Sequence, residues 1–245
     1  MKLNSHKNKN RSDEQAKNVI SSDSKFAIVE GYKIARTNLM FSLAAMESNC
    51  VAVTSWSKGE GKSTATVNLA ISFSKMGKKV LLIDTDLRRP NLHNLLKLHN
   101  ESGVSNIVGQ FGDFEEAVNH DVIPCLDVLT SGAIPPNPSE LLGSQYFEAL
   151  VNKAKEEYDY VILDTPPLGV VADTLLLKDL VGGYVLVVRE KITTHGNIER
   201  ALTNIHLADS KVLGFLKVGC ELHGKGYSRY RYRYRGYSYG YYYKY

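Results

Sequence analysis

The sequence predicts an α/β protein built on a doubly wound, mostly parallel sheet. Short, almost continuously apolar runs recur along the chain, stretches of helical spacing separate them, and three of the runs end in polar or acidic residues. Continuous apolarity marks strands covered on both faces, and strand–helix alternation is how parallel strands are connected. Ligands of such sheets sit beyond the carboxyl ends of the strands, so the polar strand ends locate the candidate site.

A chain of 245 residues with 43% hydrophobic content can bury one substantial core. The expected organisation is a disordered arm over 1–25, one folded domain over 26–221 and a disordered tail over 222–245. The formal net charge of +4 hides an asymmetry, because residues 223–245 hold six Lys or Arg and no acid. Cys50, Cys125 and Cys220 are scattered, odd in number and without metal-ligand spacing, so reduced thiols are expected. No apolar run is of signal type or long enough to span a bilayer, so membrane association is expected to come through a partner or the surface.

Residues 1–25 are rich in Asn, Ser and Lys and lack periodicity, which predicts the arm. From Val29 the spacing becomes helical through Ile34, Asn38, Phe41 and Ala45. Glu30, Lys33 and Arg36 recur every third residue and share one side of that helix, either as a solvated charged face or as a subunit contact. Residues 51–55 form a strand, and a helix starting at Lys62 runs to about Met76, where Gly77 stops it. The run ending at Asp84 is a second strand, and Pro90 suits the first position of a short helix. Residues 99–121 suggest loops and short helices, and 126–130 another strand. The Pro-rich stretch 131–142 leads through Pro138 into a helix reaching about Glu157. A strand over 160–163 ends at Asp164, and a helix covers 173–180. A strand over 184–188, a helix over 195–207 and a strand over 212–218 complete the pattern.

The chemistry lies at three strand ends. Between the strand 51–55 and the helix from Lys62 runs Ser57-Lys58-Gly59-Glu60-Gly61-Lys62-Ser63-Thr64, the form of a P-loop. Its glycines let backbone N–H groups approach a polyphosphate, Lys62 reaches the β/γ oxygens, and the Ser63 hydroxyl can ligate Mg²⁺. The first glycine slot of the usual motif is Trp56, whose ring either covers the nucleotide or packs beneath the loop. Glu60 is read as filler or a surface contact, since backbone does the binding. Asp164 closes an apolar strand, the Walker B arrangement, from which a carboxylate holds Mg²⁺ through its water shell. Asp84 and Asp86 lie two apart near a buried strand end, where two like charges call for a cation or a transferred proton. One suits the metal's surroundings and the other the proton of the nucleophile. Asp84, nearer the strand end, is favoured as base without excluding Asp86. Arg88 and Arg89 either stabilise phosphate or an acidic partner or form a surface pair.

The tail holds ten of fifteen tyrosines: Tyr227, Tyr230, Tyr232, Tyr234, Tyr237, Tyr239, Tyr241, Tyr242, Tyr243 and Tyr245. Interleaved with Arg, they suit stacking on nucleic acid, a low-complexity interaction segment, or phosphoacceptors. Ten phenols beside a nucleoside-triphosphate site favour the third.

With these motifs assembled, the sequence resembles the bacterial tyrosine kinases of capsular and exopolysaccharide operons. The likeness is strongest to the Gram-positive type, whose cytosolic kinase is separate from its transmembrane activator. The marks are TSWSKGEGKST as Walker A, LLIDTDLRRP as the A′ motif, VILDTPP as Walker B, SGAIPPNPSELL and the terminal tyrosines. The resemblance implies a P-loop NTPase fold of the ParA/MinD-like kind and ATP with Mg²⁺ as cofactors. It also implies catalytic roles for Lys62, Asp84 and Asp86, and metal roles for Ser63, Asp86 and Asp164. Tail tyrosines are then phosphorylated between subunits of a ring-like homo-oligomer that loosens afterwards. Glu30, Lys33 and Arg36 occupy the family's E-x-x-R-x-x-R oligomer motif, with Lys in the middle place, which cannot bridge bidentately. Implied partners are a transmembrane activator of the polysaccharide co-polymerase type and a cognate tyrosine phosphatase. The implied location is the cytoplasm, at the inner face of the membrane, and a nucleic-acid partner is not expected. The runner-up is a partition or cell-division ATPase of the same fold, which would carry its signature Lys at the slot of Ser57 and lack a tyrosine tail. An ordinary protein kinase is excluded by the absence of H-R-D and D-F-G. A tail-driven nucleic-acid-binding module is the non-enzymatic alternative.

Overall fold

A computed structural model of the chain describes residues 16–220. Its seven strands are β1 (Cys50–Ser55), β2 (Val80–Asp84), β3 (Val118–Ile123), β4 (Leu126–Leu129), β5 (Tyr160–Asp164), β6 (Tyr184–Arg189) and β7 (Val212–Val218). They form one sheet in the order β3-β4-β2-β5-β1-β6-β7. Every neighbouring pair is parallel except β3 with β4. β1 and β2 are buried along their whole length, as continuous apolar runs require when helices cover both faces.

The helices Phe26–Ala45 and Lys62–Ser74 cover one face, where Leu39, Leu43, Leu69 and Phe73 pack on Val51, Val53 and Leu82. The other face holds the helices Val104–Val108, Gln145–Glu157 and His195–Leu207, through Val104, Phe147, Val151, Ala201 and Ile205. The sheet order makes β2, β5 and β1 neighbours, so the three chemically marked strand ends stand side by side. That doubly wound layout is the one expected from the apolar pattern.

Several local expectations are corrected. The arm does not reach residue 25: Ile20 is buried, its N–H donates to Asn68 Oδ1 at 2.7 Å, and Asn68 Nδ2 donates to Asn18 O at 3.0 Å. Residues 1–15 and the tail 222–245 lie outside the described residues. The first helix turns Tyr32, Ala35, Leu39 and Leu43 inward, leaving Ile34 and Phe41 exposed. Its buried ridge follows i, i+3, i+7, i+11, one face over from the spacing read in the sequence.

Pro90 precedes the short helix Leu92–Leu96 rather than starting it. The Asp84 carboxylate needs N–H donors there, and Asn91 and Leu92 have them where Pro90 has none. The expected helix 138–157 is two helices, Pro138–Leu142 and Gln145–Glu157. Gly143 ends the first, and Ser144 Oγ accepts the Phe147 N–H at 3.3 Å to cap the second. Residues Asp173–Leu177 form a 3₁₀ turn, not an α-helix to 180. The Thr174 carbonyl, which an α-helix would offer to the Lys178 N–H, accepts the Tyr184 hydroxyl at 2.9 Å. β3 falls where loops were expected. It is a polar, mostly solvated edge strand with a bulge and Asp121 at φ 48°, so it carries no apolar run.

Candidate active site

The phosphate loop owes its shape to two glycines in the left-handed region, Gly59 at φ 83° and Gly61 at φ 90°, which an L side chain enters only with strain. Gly61 precedes the first helical residue and brings no capping side chain, so the N–H groups of the first turn stay available to an anion. Lys62 and Ser63 follow directly. Lys58 is exposed, and Ser57 and Thr64 are half-buried. Trp56 packs beneath: its carbonyl accepts the Gly169 N–H at 2.9 Å, and a Cβ on Gly169 would stand 2.7 Å from the indole.

Asp84 and Asp164 are register partners at the ends of β2 and β5, and both are fully buried. Lys62 Nζ lies 2.7 Å from Asp164 Oδ1 and 3.2 Å from Ser63 Oγ. The Thr66 hydroxyl is 2.9 Å from both Asp164 Oδ1 and the Lys62 carbonyl, and so divides its one proton between them. Asp164 Oδ2 is buried without a hydrogen-bond partner. An unpaired buried carboxylate oxygen is costly unless something positive or donating meets it. A hydrated Mg²⁺ fits that need, since the ion keeps several waters and uses few protein carboxylates. Among the described residues no group of three His, Cys, Asp or Glu forms a direct metal cluster. A cation here would need ligands beyond these side chains.

Burial, reinforced by Asp164, pushes the Asp84 carboxyl up to about 7 against the pull of the Leu92 N–H and Lys62. Asp86 is also raised by burial, with Lys62 opposing. Their surroundings differ. Asp84 Oδ2 accepts the N–H groups of Asn91 and Leu92, both at 3.0 Å, and Oδ1 that of Asp86 at 3.2 Å. Asp86 Oδ1 accepts the Arg89 N–H at 3.1 Å, and its side chain retains some exposure.

Three sequence readings change. Glu60 is neither filler nor a surface group: it is 1% exposed and accepts Ser57 N–H at 2.9 Å and the Thr193 hydroxyl at 2.6 Å. Arg88 is not a loose surface residue but is held by an acid of its own chain. Its Nε and Nη2 grip buried Asp173 at 2.6 and 3.2 Å, and Nη2 reaches Ser139 Oγ at 2.8 Å. Of the proposed oligomer residues, Lys33 pairs with Glu30 at 2.7 Å on the exposed side. Arg36 instead turns inward and donates to Ser72 O at 2.7 Å. Thr66, Ser139, Asp173 and Thr193 were not singled out in the sequence. Thr66 alone had a local signal, standing one helical turn beyond Lys62. The ten candidate phosphoacceptor tyrosines lie outside the described residues.

A family model described as an AAA domain matches residues 48–213. Tyrosine-protein kinase YwqD of Bacillus subtilis (strain 168) is 40% identical over 215 residues, 87% of this chain and 91% of that protein. Putative tyrosine-protein kinase CapB of Staphylococcus aureus is 34% identical, over 78% and 83%. The kinase domain of the Escherichia coli tyrosine kinase ETK superposes with a TM-score of 0.77 at 31% identity, over 89% of this chain and 80% of that one. MinD from Pyrococcus horikoshii, complexed with Mg-ADP, matches at 23% identity and a TM-score of 0.58, over 69% of each chain. That last likeness shows the fold alone.

Proposed function

The chain belongs to the bacterial tyrosine-protein kinases, and from that premise we propose that it phosphorylates its own C-terminal tyrosines with Mg·ATP, between copies. The observation that carries the nucleotide part is the unpartnered Asp164 Oδ2 beside Lys62, Ser63 and the Asp84–Asp86 pair. Ser63, Asp86 and Asp164 would hold a hydrated Mg²⁺, whose contribution would be to neutralise phosphate charge. The first-turn N–H groups and Lys62 hold the polyphosphate in line for attack. Transfer moves one phosphoryl group from ATP to a phenol oxygen, releases ADP, and sends the phenol proton to the acid pair. Raised carboxyls suit that task near neutral pH. With Asp86 given to the metal, Asp84, which burial and Asp164 push up to about 7, is the acid suited to take that proton.

The same reading puts the kinase in capsular or exopolysaccharide synthesis. It would work at the inner face of the membrane with a transmembrane activator and a cognate tyrosine phosphatase, in a ring that loosens on phosphorylation. Its support is the shared motif set and the tyrosine-rich tail. Among the described residues no helix is long and apolar enough to cross a membrane. The test incubates the protein with Mg·ATP and an activator segment, followed by mass spectrometry. Phosphate on tyrosines between Tyr227 and Tyr245 is expected, and its absence refutes the autokinase. A Lys62→Met copy should not label itself, yet should be labelled by active enzyme. Labelling confined to active chains would refute transfer between copies.

A further inference from the structure

The phosphate loop is tied to a part of the chain that no motif connects with it. Glu60, inside the loop, is one of the most enclosed acids of the molecule. Its two oxygens do different things: Oε2 accepts the Ser57 N–H at 2.9 Å, within the loop, while Oε1 accepts the Thr193 hydroxyl at 2.6 Å. The Thr193 oxygen in turn accepts the Arg189 N–H at 2.7 Å, where β6 ends. The Arg189 guanidinium stands against the same loop, 3.5 Å from where a Cβ of Gly61 would be. A continuous chain of hydrogen bonds therefore runs from the end of β6 through Thr193 and Glu60 into the backbone of the phosphate loop.

A carboxylate held out of water beside a site for polyphosphate is electrostatically unfavourable for that ligand, so its retention there needs another explanation. The geometry supplies one. Ser57 follows Trp56, which stands where the usual loop has a flexible glycine, and its N–H is turned toward Glu60. Ser55 Oγ donates to the Ser57 carbonyl at 3.0 Å, which holds the following peptide unit of the same residue.

We propose that Glu60 is a positioning residue: clamped between the Ser57 amide and the Thr193 hydroxyl, it sets the phosphate loop's conformation from the β6 side. The nucleotide site then depends on segment 189–193, a stretch with no place in the Walker motifs. The inference rests on the nucleotide-binding reading above, and its consequences for loop shape can be measured without ligand.

Trp56 is the only tryptophan of the chain and lies in the loop, so its fluorescence reports loop conformation directly. The experiment titrates the full chain with Mg·ADP and measures acrylamide quenching of Trp56 without nucleotide. It uses wild type, Thr193→Val, Thr193→Ser, Glu60→Ala, Glu60→Gln and the Glu60→Ala/Thr193→Val double variant. Thr193→Val should weaken Mg·ADP binding about tenfold, the size of one lost charge-assisted hydrogen bond, and raise quenching. The double variant should be no worse than the weaker-binding single, because both singles already break the shared Glu60–Thr193 bond. Thr193→Ser and Glu60→Gln should stay within about threefold of wild type. A glutamine oxygen can accept from Ser57 while its amide donates to the Thr193 oxygen. Thr193→Val near the surface is the variant least exposed to misfolding and decides alone if Glu60→Ala does not fold. Wild-type affinity and quenching in Thr193→Val, or additive losses in the double variant, overturn the proposal. Absence of Mg·ADP binding by wild type refutes the nucleotide site itself, and the quenching series still judges the clamp.

Discussion

Lys62 Nζ and Asp164 Oδ1 are 2.7 Å apart, and neither side chain exposes more than 7% of its surface. The lysine of the phosphate loop thus holds the acid of the neighbouring strand end. A buried pair of this kind adds little net stability, since desolvation offsets its attraction, but removing one member strands the other.

Lys62→Met should therefore cost stability as well as activity, by about 3–5 kcal/mol, because Asp164 keeps only the Thr66 hydroxyl. Adding Asp164→Asn should recover most of that loss without restoring kinase activity. Chemical denaturation of the three proteins checks it, and an undiminished midpoint for Lys62→Met would refute it. The result matters for the mixed-labelling experiment, where a partly unfolded recipient would offer its tyrosines indiscriminately.

Arg88 joins the segment after β2 to two distant elements through Asp173 and Ser139. Arg88→Ala should destabilise the protein by about 1–3 kcal/mol, since Asp173 is 3% exposed and would retain only weaker partners. Arg88→Lys should recover a minority of this, having no planar fork for the carboxylate. Limited proteolysis should show faster cleavage near 131–139 in both. Equal stability of Lys and wild type would show that the bidentate grip is unimportant.

These two residues also mark where the sequence was readable. The strands and the P-loop were legible because each is a local pattern: a doubly buried apolar run, a Gly-x-Gly before Lys, an Asp closing a strand. Their side-by-side arrangement followed from the rule for parallel sheets. The Arg88–Asp173 grip spans 85 positions and the Glu60–Thr193 contact 133, and neither partner stands in a pattern of its own. The polar edge strand β3 and the inward turn of Arg36 were hidden for a related reason. Both are settled by what lies across from them, not by neighbours in the chain.

Arg36 Nη1 donates to the Ser72 carbonyl in the last turn of the phosphate-loop helix, where carbonyls lack helical partners. Arg36→Ala should lower the stability of the isolated subunit by about 1 kcal/mol, apart from any effect on association. Thermal melts of dilute protein would read this loss, and an unchanged melt would refute a structural role for the Arg36–Ser72 bond. Lys33→Ala, which releases only an exposed pair with Glu30, should leave the same melt within about 0.5 kcal/mol of wild type.

The β3–β4 edge carries a pH-dependent cluster. Asp127 accepts the Tyr158 hydroxyl at 2.8 Å and the Asp121 N–H at 2.8 Å, and stands 3.0 Å from His120 Nδ1. The hydrogen bond to Asp127 raises His120 above its ordinary value. Burial works against ionised Asp127, but the Asp121 N–H, His120 and Tyr158 together outweigh it and hold that carboxyl low. A raised histidine stabilises the fold fully below its unfolded value, near 6.5, and loses that contribution as pH rises through the higher folded value. A depressed carboxyl contributes above its unfolded value and loses this as pH falls through the lower folded one. The edge should therefore be most secure between the two, in weakly acidic solution. The stability gap between wild type and His120→Gln should be largest near pH 5.5 and close by about pH 8.5, read from denaturation midpoints across pH. A gap that persists unchanged at the alkaline end would mean that His120 acts as a neutral hydrogen-bonding group and not through its charge. Tyr158→Phe, which removes a donor from a nearly buried carboxylate, should cost about 1–2 kcal/mol at both pH values.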